Sequence, residues 1–168
     1  AAVLETNDDS PKMPDKKKTK FDVVIIGAGP SGYTAGIYCS RAGYDTLILS
    51  GILPGGQLVN TTEVENYPGF ENGIMGPDLM IDMRKQSQRM GTTIIDDEVV
   101  DVDFRRKPLK VLTASEEYEG RAVIIATGAN PRKIGLEGEE TFGGKGVSYC
   151  ATCDGPFFRN QDIVVVGG

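Results

Sequence analysis

The stretch Phe21-Asp22-Val23-Val24-Ile25-Ile26-Gly27-Ala28-Gly29-Pro30-Ser31-Gly32 decides the fold. Its first six residues form a short, β-branched apolar run of the kind that makes a buried parallel strand. Gly27 to Gly32 reads as a turn, Tyr33 to Ala42 as a helix closed by Gly43, and Thr46 to Leu49 as a second strand. Strand, glycine turn, helix, strand is the opening of a doubly wound α/β sheet. In that context each glycine has a task. Gly27 permits the tight turn, Gly29 lets the backbone approach a pyrophosphate, and Gly32 lets helix and strand pack closely. Pro30 and Ser31 complete the turn, and the helix N-terminus beyond them offers N–H donors and a positive dipole end to phosphates. A plain strand–helix turn is the competing reading; the flanking strand and helix favour dinucleotide binding.

One feature of the usual pattern is missing. An acidic residue about 20 positions further on ordinarily holds the ribose hydroxyls. Here the second strand ends Ile48-Leu49-Ser50-Gly51, and Asp45 comes too early. The loop Pro54-Gly55-Gly56-Gln57 is the expected substitute, with backbone amides and one side-chain amide. It lies in a glycine- and proline-rich stretch, 51–76, that shows no clear periodicity. Loops of that length in a compact domain are usually functional.

Further along, Pro77 to Met90 reads as an amphipathic helix with Leu79, Met80, Met83 and Met90 on its apolar side. Thr92–Phe104, Leu109–Thr113 and Arg121–Ala126 read as strands, the last closing on Ala126-Thr127-Gly128, a turn that brings backbone close to a ligand. Residues 128–147 form a connector, and Ile163–Val166 reads as a final strand. That strand runs into Gly167-Gly168 and echoes the opening Val-Val-Ile-Ile-Gly-Ala-Gly, as two nucleotide-binding units in tandem would. A start at Ala1 and this ending lead us to expect an incomplete chain.

Composition bounds the function classes. At 168 residues one domain with a real core is expected. The net charge of −6 leaves no basic surface for a nucleic acid. No apolar run approaches the roughly 18 residues of a membrane span, and Ala1-Ala2-Val3-Leu4-Glu5 is too short and acidic for a secretory signal. A cytoplasmic setting is the default expectation. Residues 1–20, with Pro11, Pro14 and Lys16-Lys17-Lys18, are expected to be a disordered, solvated tail rather than a targeting or docking signal.

The chain has three cysteines and no histidine, so a zinc site, which needs about four ligands, is not expected. Cys150-Ala151-Thr152-Cys153 instead puts two sulfurs within reach of a reversible disulfide. A thiolate is the attacking species in disulfide exchange. With no histidine, the acid/base partner must be a carboxylate or come from elsewhere, and Asp154 is adjacent. A thioredoxin-type domain carries such a pair after an early strand; here it follows a complete nucleotide-binding unit. That order favours a reductase that feeds electrons to a disulfide. A pair of packed core thiols is the alternative. Cys39, on the first helix, reads as a small buried hydrophobe.

Taken together, Gly-Ala-Gly-Pro-Ser-Gly at 27–32, Gly-Gly-Gln-Leu at 55–58, Glu-Val-Glu-Asn-Tyr-Pro-Gly-Phe at 63–70, Ala-Thr-Gly-Ala at 126–129 and Cys-Ala-Thr-Cys-Asp-Gly at 150–155 resemble the low-molecular-weight thioredoxin reductases. The resemblance covers about residues 21–168. It implies a three-layer, Rossmann-like FAD/NAD(P)-binding fold: an FAD domain over 21–128, its first part only, then the start of an NADPH domain over 129–168. It implies FAD contacts from Gly27, Gly29, Pro30, Ser31 and Gly32, from Ser50, Gly51, Gly55, Gly56, Gln57 and Leu58, from Asn66, and from Ala126, Thr127 and Gly128. It further implies Cys150 and Cys153 as the redox pair, Asp154 as proton donor, thioredoxin as partner and substrate, NADPH as electron source, and a homodimer for the whole enzyme. Members of the family continue for roughly another 150 residues, so a piece of this length is expected not to turn over NADPH alone. Relatives that reduce a peroxiredoxin, or that take electrons from ferredoxin or a deazaflavin, share the cysteine pair. A non-catalytic nucleotide-binding module is the reading from a different class.

Overall fold

The computed structural model describes residues 17–167. The tail expected over residues 1–16 lies outside the described residues. Lys17 to Lys20, which the sequence assigned to that tail, are held in place: the Thr19 carbonyl accepts the Glu119 N–H at 2.8 Å and Lys18 pairs with Asp45.

Strand β1 (Lys20–Ile26) runs into helix α1 (Pro30–Arg41) and then β2 (Thr46–Leu49). The helix starts earlier than the sequence suggested. Pro30 stands in its first turn, where a missing N–H is no loss and the fixed φ is already helical. The long loop is less irregular than its composition implied. It contains a 3-10 turn (Gly56–Asn60) and a two-residue ribbon of β3 (Glu63–Val64) against β4 (Ile74–Met75). Helix α2 (Gly76–Arg89) follows.

The expected single strand over 92–104 is two strands, β5 (Thr93–Ile95) and β6 (Val99–Asp103). The first pairs with β2 in parallel, and the second turns away into an antiparallel hairpin with β7 (Leu109–Thr113). Alternating apolar residues fit either partner, so the break was not readable from the pattern. Strand β8 (Glu117–Ile125) is longer than its apolar run because Glu117–Gly120 pair with β7, while Glu119–Ile125 pair with β1 on its other edge.

The sheet order is β5-β2-β1-β8-β7-β6, with the first four strands parallel. This is the Rossmann-like α/β arrangement expected. Side chains alternate across β1, and the two faces bury different sets. Val23 and Ile25 meet Tyr33 of α1 and Leu79, Met80 and Met83 of α2. Val24 faces the other way, against Leu47, Leu49, Val111 and Tyr118. Gly36 sets the helix spacing on the first face: a Cβ there would stand 2.6 Å from Ser87 Oγ and 2.8 Å from Ile48 Cδ1.

Ile163–Val166, expected as a strand, forms none among the described residues, and all four side chains are exposed. A strand exists through its ladder, and no neighbour is placed beside this one. Cys39 is half-buried against the first core cluster, close to its expected role.

Candidate active site

The parallel strands β1, β2, β5 and β8 all end on one edge, and the glycine turn sits there. Open α/β sheets hold ligands at that edge. Gly27 has φ +105°, and a Cβ on it would stand 2.3 Å from the Ala126 carbonyl oxygen. Gly32 packs equally tightly, its Cβ position lying 2.1 Å from the Gly27 oxygen. These two glycines let the turn, α1 and the end of β8 close on one another. Gly29 behaves differently. It caps α1, and nothing lies within 4 Å of where its Cβ would be. Its bare backbone faces open space, as close approach by a phosphate requires.

That space is a cleft of about 410 Å³, walled by the turn, the 3-10 loop and the strand ends. Gly27, Gly29, Pro30, Ser31, Ser50, Gly56, Gln57, Leu58, Ala126, Thr127 and Gly128 all line it. Four proposed contacts stand elsewhere. Gly32 lies under the turn as packing, and Gly51 is drawn to the Asp97 carbonyl at 3.1 Å. Gly55 (φ +98°) supports the wall by donating its N–H to Ala28 O at 2.8 Å. Asn66 lines a separate hollow. The sequence missed Ala28, Leu53, Ala129 and Asn130 as lining residues. Asn130 carried a usable signal, since it lies two residues past the strand-end glycine. Its Oδ1 accepts the Gln57 amide at 2.8 Å and ties the two walls together.

Cys150 and Cys153 form a disulfide, with Cα atoms 5.2 Å apart. Cys153 stands on the short helix α3 (Ala151–Asp154), which Cys150 caps. Ser148 connects this turn to the neighbouring acid. Its hydroxyl donates to Asp154 Oδ2 at 2.5 Å and accepts the Cys150 N–H at 3.1 Å. Cys153, Thr152 and Asp154 line a hollow with Glu65, Asn66 and Leu58. Leu58 also borders the glycine cleft, so the cleft and the hollow beside Cys153 share one lining residue.

The connector that carries α3 is fastened by Glu139. Its carboxylate accepts N–H groups from Ile134, Gly135 and Leu136 at 3.0, 2.7 and 3.2 Å and the Tyr149 hydroxyl at 2.7 Å. These donors, the phenol foremost, hold its pKa down at about 2. The sequence reading passed over Glu139, because a glutamate in a glycine-rich connector looks like any solvated charge.

Comparison with known proteins now decides the family. The family model described as "Pyridine nucleotide-disulphide oxidoreductase" matches residues 21–168. The chain belongs to the pyridine nucleotide-disulphide oxidoreductase family. It is 53% identical over 150 residues to a thioredoxin reductase of Streptomyces clavuligerus, covering 88% of this chain and 46% of that protein. A thioredoxin reductase of Listeria innocua is 53% identical over 149 residues, with coverages of 88% and 46%. The crystal structure of a thioredoxin reductase from Streptococcus pyogenes superposes with a TM-score of 0.81 at 43% identity, covering 89% of this chain and 49% of that one. The chain thus spans about half the length of the curated relatives it matches. The resemblance to the N-terminal portion of low-molecular-weight thioredoxin reductases is borne out, and membership implies FAD and NADPH as cofactors. The cleft fits an FAD: a bare glycine backbone and a helix N-terminus meet where a pyrophosphate would lie.

Proposed function

We propose that the protein carrying this chain is a thioredoxin-disulfide reductase, in which electrons from NADPH pass through FAD to the Cys150–Cys153 disulfide and on to oxidised thioredoxin. The observation that carries this reading is the placement of that disulfide on a hollow sharing Leu58 with the glycine cleft. FAD, when bound, supplies two-electron chemistry between NADPH and the disulfide. The remaining steps belong to the chain's own residues.

The Gly27–Gly32 turn and the N-terminus of α1 bind the pyrophosphate, and Gln57 with the Thr127 turn orients the rest of the cofactor from the opposite wall. Asn66 acts from the cysteine side of Leu58. Residues 21–128 serve as the first part of the FAD domain, and 129–168 begin the NADPH domain. Reduction of the disulfide takes two electrons and two protons, and yields two thiols. One thiolate then attacks a sulfur of the thioredoxin disulfide; the second displaces it from the mixed disulfide, and a reduced thioredoxin leaves. Asp154, with its carboxylate held by Ser148, delivers and collects the proton. The working enzyme is a homodimer in the cytoplasm. No helix among the described residues is long and apolar enough to cross a membrane.

The test is NADPH oxidation by the full-length protein with oxidised thioredoxin as acceptor. Cys150→Ser and Cys153→Ser each abolish thioredoxin reduction while leaving bound FAD reducible by NADPH. Full thioredoxin reduction by either variant refutes the assignment.

A further inference from the structure

The missing acid at the end of β2 has a replacement on the neighbouring strand. Leu49 and Ile95 are paired in the β2–β5 register, so Ser50 and Asp96 leave the sheet side by side at its ligand-binding edge. The Ser50 N–H donates to Ile95 O at 3.0 Å, and the Ser50 hydroxyl donates to Asp96 Oδ1 at 2.7 Å. Ser50 is buried and lines the cleft, where the acidic residue of the usual pattern would stand. A carboxylate therefore lies one hydrogen bond from that position, brought in from β5.

Its orientation is fixed. Arg84 on α2 meets it fork to fork, Nη1 to Oδ1 at 2.8 Å and Nη2 to Oδ2 at 2.9 Å. Oδ1 then accepts two donors and Oδ2 only one. Oδ2 keeps acceptor capacity, and the side chain is 53% exposed. A carboxylate locked in one rotamer, with a free lone pair and one hydrogen bond away from the cleft-lining Ser50, is suited to a ribose hydroxyl. Gly55, Gly56 and Gln57, the substitutes that the sequence suggested, offer amides and no anionic acceptor.

We infer that Asp96, held by Ser50 and Arg84, is the acceptor for the adenosine ribose hydroxyls of the dinucleotide bound in this cleft. The inference rests on the FAD reading above and adds a residue to it. The sub-site takes a ribose with free hydroxyls and disfavours one bearing a phosphate there, because two anions would face each other.

The test is equilibrium binding to the apoprotein of the full-length chain, followed by flavin fluorescence, with two probes. These are FAD and an FAD analogue whose adenosine ribose lacks its 2′ and 3′ hydroxyls. The native protein is expected to bind the analogue about tenfold more weakly or worse, the loss of a charge-assisted hydrogen bond. Asp96→Ala is expected to bind both probes alike, at about the native affinity for the analogue. Asp96→Asn, which keeps the shape and the Ser50 bond, is expected to fall between. Thermal melts establish that each variant is folded. If Asp96→Ala still discriminates between the probes by the native factor, the pair with Arg84 only fastens α2 to β5 and the inference fails while the FAD reading stands. Failure of the native protein to bind either probe overturns both.

Discussion

Gly29 and Gly32 stand three residues apart in one motif, yet an alanine at each is expected to do opposite things. At Gly32 the new Cβ would lie 2.1 Å from the Gly27 oxygen and 2.9 Å from its carbonyl carbon. Both are backbone atoms, so no side chain can swing aside. The Gly27 turn cannot retreat either: its N–H is bonded to Leu49 O at 2.8 Å, and its own Cβ position is 2.3 Å from Ala126 O. Relief needs a shift of about 1 Å in backbone packed on both sides, at the upper end of overpacking costs, about 3 kcal/mol. With a urea dependence of about 2 kcal/mol per molar, the unfolding midpoint falls by about 1.5 M. At Gly29 nothing lies within 4 Å and φ is −80°, so a side chain is unstrained. Stability should change by less than about 0.5 kcal/mol. The methyl instead occupies the space that a pyrophosphate must enter, and FAD affinity falls at least about tenfold, or about 1.4 kcal/mol. The assay is urea denaturation of the apoprotein beside FAD titration of the folded protein. An unchanged midpoint for Gly32→Ala, or equal midpoint losses for both variants, would refute this division of labour.

Glu139 should show itself in amide exchange. Its folded pKa, about 2, is below the ordinary 4.5, so its contribution is complete above pH 4.5 and is lost as pH falls towards 2. Protection of the Ile134, Gly135 and Leu136 amides should fade over that window, and Glu139→Gln should weaken it at every pH; exchange that ignores both changes would remove Glu139 as the clamp. Tyr118 buries its hydroxyl with no hydrogen-bond partner among the described residues. Tyr118→Phe should therefore raise stability by about 1 kcal/mol, seen as a higher melting temperature, and a lower one would mean the hydroxyl has a partner.

The local signals were legible in the sequence because their physics is local. Phe21 to Gly32 announced strand, turn and helix, since Gly27 and Gly32 are required by close contacts within the turn and with the strand end that it must meet. The Cys150–Cys153 pair could be read from its spacing alone, because three residues bring the two sulfurs within bonding reach. Where a residue's role depended on a distant partner, the sequence was mute. The span 92–104 looked like one strand, because alternation cannot tell a parallel partner from an antiparallel one. Ile163–Val166 had the right composition, but composition does not supply a ladder. Asn66 was grouped with the cleft, yet the chain carries it to the cysteine side of Leu58.

The ribose acid shows the division most plainly. From the sequence came the fact that Ser50 stands where an acid is usual. Only the tertiary structure could bring Asp96, 46 residues away, to its hydroxyl. That meeting depends on the pairing of β2 with β5 and on α2 delivering Arg84 to Asp96. Glycine and cysteine spacing thus determined the two chemical motifs, and periodicity most of the elements. Strand order and register decided which side chains those motifs would have for company, since hydrogen bonds across a sheet depend on which strands are adjacent rather than on distance along the chain.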